Sequence, residues 1–253
     1  MSHISREGYK FRQDICIPCY QTDSSFSLTP ASFMDLAQEI AYWAAQELGF
    51  GYDNLHIHHV AWVLSRMHFH FEHPPRWRDD VTLYTWHKGA SGLFYLRDFF
   101  LQDLEGRGAV TCTSSWVIID ERTRRFVRPE DVQGLLSIDA PVDSAIVEPA
   151  PKVVMPRGIQ AEPAGEHTVA YSDVDLLGHA NNARYMVWAM DCIPYEDVSA
   201  RRVKDVYINF NKETTPGTTV DLFRLCTEEE GNPVYYVEGR VDGKSHFCAK
   251  IVC

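Results

Sequence analysis

From residue 171 to residue 185 the chain reads Tyr-Ser-Asp-Val-Asp-Leu-Leu-Gly-His-Ala-Asn-Asn-Ala-Arg-Tyr, a run that gathers titratable side chains around a turn and then leads into an apolar segment. A carboxylate at Asp175 and an imidazole at His179 are residue types that take up and orient protons near neutral pH. Gly178 opens backbone angles closed to other residues, and Asn181 or Asn182 can accept hydrogen bonds from the first N–H groups of the helix that follows. Such a helix start offers unpaired N–H donors and partial positive charge, which suit an oxygen that becomes negative during acyl transfer. Capping chemistry in an Asp/Asn-rich loop would account for the asparagines as well.

The elements that must hold this loop follow from periodicity. A strand over residues 167–171 leads into it, and a short helix over 182–193 leaves it. Strands near 202–212, 219–226, 233–242 and 245–252 complete the second half. The first half has the same order: a strand over 9–20, then a helix that begins at Thr29-Pro30, with the hydroxyl residue as N-cap and proline in the first helical position. That helix runs to about Leu48 and stops at Gly49. It places Asp35, Gln38, Glu39, Tyr42 and Gln46 on one side and Phe33, Leu36, Ala37, Ile40, Ala44 and Leu48 on the other. Strands over 60–71, 80–88, 93–101 and 109–120 follow, joined by turns short enough to demand antiparallel pairing.

Prolines at 129, 141, 149, 151, 156 and 163 break the pattern between the halves, so residues 131–163 read as a linker between a unit over 1–130 and one over 164–253. Asp79-Asp80-Val81-Thr82-Leu83-Tyr84 and Thr218-Thr219-Val220-Asp221-Leu222-Phe223 share a pattern about 140 residues apart, the mark of an internal duplication. The fold class is α+β: two units, each a helix with an antiparallel sheet, expected to join edge to edge into one extended sheet.

Composition narrows the partners. With 24 Lys and Arg against 35 Asp and Glu, the formal charge is −11, which at long range repels nucleic acid and anionic membranes. The first residues lack an apolar core of signal-peptide length, no later run is long enough to span a membrane, and seven scattered cysteines suit a reducing compartment. The expected location is the cytoplasm. Cys16-Ile17-Pro18-Cys19 has no second pair at zinc-site spacing, and His68, His70 and His73 have no carboxylate or further histidine at a diagnostic distance, so neither metal nor cofactor is expected.

Asp175-Leu176-Leu177-Gly178-His179-Ala180-Asn181-Asn182-Ala183-Arg184-Tyr185 resembles the Asp-x-x-Gly-His-x-Asn-Asn-x-x-Tyr signature of hotdog-fold thioesterases. The tandem arrangement is similar to the acyl-acyl carrier protein (ACP) thioesterases of bacteria and plant plastids. Trp62 to Met67, Pro75 to Asp79, Ser114 to Val117, Thr123 to Arg125 and Phe210-Asn211-Lys212-Glu213-Thr214 extend the resemblance over nearly the whole chain from Tyr9 onwards. It implies two tandem hotdog units, hydrolysis of a carrier-bound acyl thioester to free fatty acid and holo-carrier, and a catalytic set of Asp175, His179 and Glu213. Two positions depart from the family: Leu177 stands where the plant enzymes have asparagine, and Thr214 where the family has cysteine, which removes a thiol nucleophile.

A thiolate leaves readily, its conjugate acid having a pKa of about 8.5, so the site needs a base, an orienter and an oxyanion donor rather than a strong acid. The resemblance implies that Glu213 with His179 activates water, that Asp175 orients, and that backbone N–H groups around Gly178, Asn181 and Asn182 hold the oxyanion. Which carboxylate is base and which nucleophile stays open. The longer first helix, with its stripe Phe33, Ala37, Ile40 and Ala44, is expected to line the acyl chain. The acidic carrier with its phosphopantetheine-linked acyl chain would need a basic patch on this acidic protein, with Arg124 and Arg125 in the first half and Arg201 and Arg202 in the second as candidates. An acyl-coenzyme A substrate, a non-hydrolytic acyl-binding or dehydratase-like role, and a homodimer all remain open.

Overall fold

The computed structural model describes residues 4–132 and 143–253, so part of the proline-rich stretch, residues 133–142, lies outside the described residues. The chain divides into two compact units, one running to Thr29 and resuming over Asp35–Ala150, the other made of Pro30–Met34 and Pro151–Cys253.

The first half holds β1 (Ser5–Glu7), β2 (Lys10–Cys16), α1 (Pro30–Glu47), α2 (Tyr52–Ile57), β3 (Val60–Phe71), β4 (Asp80–Ser91), β5 (Phe94–Asp103), β6 (Gly108–Asp120) and β7 (Phe126–Val127). All of its strand pairings are antiparallel, in the order β1-β2-β4-β5-β6-β3, with β7 on β6. Helix α1 turns Phe33, Ala37, Ile40 and Ala44 inward with no exposed surface, at the spacing the sequence predicts. Beyond it Ala45, Phe50, Leu55, Val60, Tyr95 and Ile118 form one apolar cluster.

In the second half β8 (Glu162–Thr168), α3 (Asn182–Asp191), α4 (Tyr195–Ala200), β9 (Asp205–Phe210), β10 (Thr219–Glu229), β11 (Asn232–Val241) and β12 (Lys244–Val252) follow. The strands pair antiparallel in the order β8-β10-β11-β12-β9. That is the order β2-β4-β5-β6-β3 of the first half, strand for strand, with α1 and α3 in equivalent places. The duplication read from the sequence is therefore a duplication of topology. Tyr185 and Trp188 of α3 pack on Phe247 of β12, with ring centroids 5.3 and 6.4 Å apart.

Some local expectations change. The strand expected over 167–171 lies at Glu162–Thr168, and Tyr171–Asp173 is a single 3-10 turn. Pro163 and Gly165 are accommodated because, among the described residues, β8 pairs only with β10 and because the register shifts opposite them, between Leu222 and Phe223; an edge strand at a bulge tolerates residues that a central strand does not. The loop expected around His56 contains α2, and α4 follows where only loop was expected.

The linker is also shorter than its prolines suggest. Asp143 accepts hydrogen bonds from Tyr9 Oη (2.8 Å) and Trp86 Nε1 (3.1 Å, at its backbone carbonyl) and pairs with Lys10 Nζ at 2.6 Å. Further on, Val153 N donates to Asn209 Oδ1 at 3.1 Å. Residues 143–146 are thus docked on the first unit, and Val153 on the second.

Candidate active site

The signature loop is held by hydrogen bonds that its own composition provides. Asp173 is buried, and its carboxylate accepts from Ala170 N (2.7 Å) and lies 2.9 Å from His167 Nε2, whose ring stacks on Trp188 at 4.5 Å. Asn181 N donates to the Asp173 carbonyl (2.8 Å) and Asp175 N to that of His179 (2.9 Å), which bridges Val174 to Ala180 and closes the loop. Within it Gly178, at φ +81°, turns its N–H onto the Asp175 carbonyl (3.0 Å), while Asp175 Oδ1 accepts from Leu177 N (2.8 Å). Leu176 and Leu177 stand exposed at the tip.

Helix α3 starts as its sequence predicts, with Asn181 as N-cap accepting from Ala183 N at 2.8 Å. Ala180 N donates to the Thr214 carbonyl at 2.8 Å, which sets the segment after β9 beside the loop. His179 Nε2 and Glu213 Oε2 consequently lie 3.5 Å apart, with about a third of each side chain accessible. Asp175 belongs to the same loop, its N–H on the His179 carbonyl at 2.9 Å, and burial pushes the nearby Tyr185 phenol up to about 12.

The structure therefore sets Glu213, from the segment after β9, beside the loop that carries both Asp175 and His179. An imidazole beside a carboxylate, both open to solvent, can take a proton from water; a second carboxylate fixed in the turn can orient the group or the incoming chain. The loop itself uses the N–H groups of Gly178, Ala180 and Asn181, and Asn181 Oδ1 is committed to the cap. Gly178 and Asn181 act here as architecture at the backbone. Among the described residues, the donors left at the start of α3 are the Asn182 N–H and the side-chain amides of Asn181 and Asn182.

Sequence reasoning did not find what sits behind Glu213. Tyr185 Oη donates to Thr214 Oγ1 at 2.8 Å, and that oxygen lies 3.0 Å from His246 Nδ1 on β12. Thr214 is buried. Nothing in the alternation of β12 marks His246, although a buried threonine hydroxyl in place of a thiol implies that partners exist. The four candidate arginines are all exposed, Arg124 in a left-handed turn at φ +57°, Arg201 and Arg202 just after α4.

Comparison with known proteins gives the family. Residues 8–133 match the model of the acyl-ACP thioesterase N-terminal domain, and residues 158–251 that of the C-terminal domain. The chain is 25% identical over 248 residues to the chloroplastic oleoyl-acyl carrier protein thioesterase 1 of Arabidopsis thaliana, covering 91% of this chain and 68% of that one. It is 28% identical over 226 residues to the chloroplastic dodecanoyl-[acyl-carrier-protein] hydrolase of Cinnamomum camphora, covering 84% of this chain and 58% of that one. Among solved structures, the 12:0-ACP thioesterase of Umbellularia californica superposes with a TM-score of 0.82 at 22% identity, over 97% of this chain and 94% of the other. A putative oleoyl thioesterase from Lactobacillus plantarum gives 0.81 at 23% identity, over 96% and 95%. With a tandem hotdog fold and both family domains in sequence, this chain belongs to the acyl-ACP thioesterase family.

Proposed function

We propose that the protein hydrolyses fatty acyl-ACP to free fatty acid and holo-carrier, ending chain elongation in fatty acid biosynthesis. The observation that carries this reading is the pair His179 Nε2 and Glu213 Oε2, 3.5 Å apart at the start of α3, with Asp175 N–H on the His179 carbonyl in the same loop. In the proposed reaction Glu213, through His179, takes a proton from water as the water attacks the thioester carbonyl. Asp175 orients that pair or the substrate amides. The developing oxyanion is held by the donors left at the helix start, chiefly the Asn182 N–H, and the thiolate leaves without strong acid assistance.

The acyl chain is assigned to the α1 stripe Phe33, Ala37, Ile40 and Ala44, and the carrier to Arg124, Arg125, Arg201 and Arg202. Full burial of the stripe is also what packing on a sheet produces, so chain-length kinetics have to carry that assignment. No helix among the described residues is long and apolar enough to cross a membrane. The cytoplasm is the proposed compartment, supported by seven cysteines that all stand free.

Purified protein assayed on matched acyl-ACP and acyl-coenzyme A series tests the reading: thiol release with a higher kcat/KM on the carrier-bound series is expected. Preference for coenzyme A esters would make it an acyl-CoA thioesterase, and no release from either a non-hydrolytic acyl-binding protein. Mass measurement in solution decides between monomer and homodimer.

A further inference from the structure

In the first unit the alternation of β4 and β5 sends charged side chains to both faces of the sheet, and the two faces treat them differently. On one face Asp98, with no exposed side-chain surface, lies 3.3 Å from Lys88 Nζ and accepts from Ala145 N at 2.7 Å; Lys88 also donates to the Ile146 carbonyl. That cluster is complete. On the other face His87 stands directly opposite Arg97, and both are more than nine-tenths buried, at 7% and 5% exposure.

The guanidinium of Arg97 has five N–H donors, and among the described residues one side-chain acceptor meets them, Thr85 Oγ1 at 3.2 Å from Nη1. Its sequence neighbour Asp98 points to the opposite face. His87 Nδ1 accepts from Gly89 N at 2.9 Å, which puts the ring proton on Nε2, and Nε2 is buried without a partner among the described residues. Around them lie Phe50 and Tyr95, whose rings meet His87 at 6.4 and 6.0 Å, and Trp62, 4.9 Å from Tyr95. A buried cation without a counter-ion and a buried N–H without an acceptor are each unfavourable, and here they are neighbours in an aromatic setting. The Arg97 charge adds to burial in holding His87 neutral, so the pair offers one positive charge and one neutral donor.

We propose that Arg97 and His87 form a second ligand site, inside the first unit, that takes the carboxylate of an alkyl-chain acid. One charge and two oxygens match one guanidinium and one N–H, and the aromatic walls match the chain. The same chemistry has two sources, a free alkanoate or the distal carboxylate of an ω-carboxyacyl substrate. The site goes beyond the proposed hydrolysis, which uses neither residue.

Thermal unfolding of the full chain with sodium decanoate, and with decanol as the neutral probe of equal length, tests it. Decanoate stabilises the wild type more than decanol does. In Arg97→Met that excess disappears, decanoate affinity falls about tenfold or more, and the ligand-free protein melts no lower than wild type, since a lone buried charge has been removed. An excess that survives in Arg97→Met, or is absent from the wild type, overturns the site. The wild type alone gives a second reading: the carboxyl resonance of bound [1-13C]decanoate stays at its ionised position at pH values where the free acid is protonated. A bound resonance that titrates with the free acid overturns the site as well.

Turnover of decanoyl and 9-carboxynonanoyl thioesters of the carrier separates the sources. Selective loss of the second in Arg97→Met identifies the distal carboxylate; unchanged rates on both, with the decanoate excess lost, identify the free acid. Equal loss on both with the excess retained makes Arg97 structural and overturns the site. Failure to hydrolyse either thioester bears on the thioesterase reading and leaves the thermal result standing.

Discussion

The hydroxyl of Tyr185 donates to Thr214 Oγ1 at 2.8 Å, one residue beyond Glu213, so the helix that follows the signature loop also holds the segment carrying the second carboxylate. Thr214 is bound at its carbonyl by Ala180 N (2.8 Å) and at its hydroxyl by both Tyr185 and His246. Replacing it by valine leaves the phenol buried without an acceptor, at a cost of about 1–3 kcal/mol. Thr214→Val should lower both Tm and kcat, whereas Tyr185→Phe, which removes donor and orphan together, should lose less of each. Melting curves and steady-state kinetics on the two variants check this; equal losses would show that the phenol does not hold the segment.

Asp175→Asn keeps an oxygen for the Leu177 N–H, and Glu213→Gln and His179→Gln replace side chains about a third exposed by residues of similar size. Each should lower kcat/KM by about 10²- to 10⁴-fold while leaving stability within about 0.5 kcal/mol. Near-normal turnover in a folded Glu213→Gln protein would remove it from the proposed role.

Ala37 and Ala44 have no exposed surface, so phenylalanine at either position must fill space that belongs to the acyl chain or force the core apart. The expected result of Ala37→Phe or Ala44→Phe is a shift towards shorter acyl chains with activity on the shortest retained. Overpacking costs about 1–3 kcal/mol and should appear in Tm. A uniform loss at every length places the chain elsewhere.

Reversing Arg124 and Arg125 to glutamate, and separately Arg201 and Arg202, should reduce kcat/KM for acyl-ACP at low salt and leave small-thioester hydrolysis unchanged. The difference should shrink as salt rises, because the Debye length falls to about 3 Å at 1 M. Salt-dependent kinetics on both substrates provide the check.

Burial, reinforced by the charge of Arg97, pushes the His87 imidazole down to about 3. The unfolded chain binds this proton below its ordinary value of about 6.5 and the folded chain does not, so the unfolded state holds more protons between those two values. Stability due to His87 therefore rises with pH across that window and is fully present above it. Between pH 5 and pH 7 the gain is about 2 kcal/mol. Urea unfolding of wild type and His87→Asn at the two pH values should show a smaller pH effect in the variant.

Most of this architecture could be read from the chain because apolar alternation and tight turns coincide. The limits of β3 and the start of α1 at Thr29-Pro30 fall where the pattern puts them. Short elements without a long apolar period, β1, β7, α2 and α4, could not be seen, and β8 was hidden by a proline that only its edge position makes acceptable. Asp175, His179 and Glu213 could be chosen because a motif marks them. His246, the orphan donor of His87 and the buried charge of Arg97 depend on which strands become neighbours, and no local spacing records that.

The docking of Asp143, Ala145 and Ile146 decides where this polypeptide can be divided. A first half ended at residue 130 would leave Asp98 and Lys88 without the backbone groups that complete their pair, and Tyr9, Lys10 and Trp86 without Asp143. A first half ended at Ala150 keeps them all, and a second half begun at Pro151 keeps the Val153 clamp on Asn209. The stretch between Ile146 and Val153 is thus where the contacts of the two units change over, and a split-protein complementation pair should be cut there.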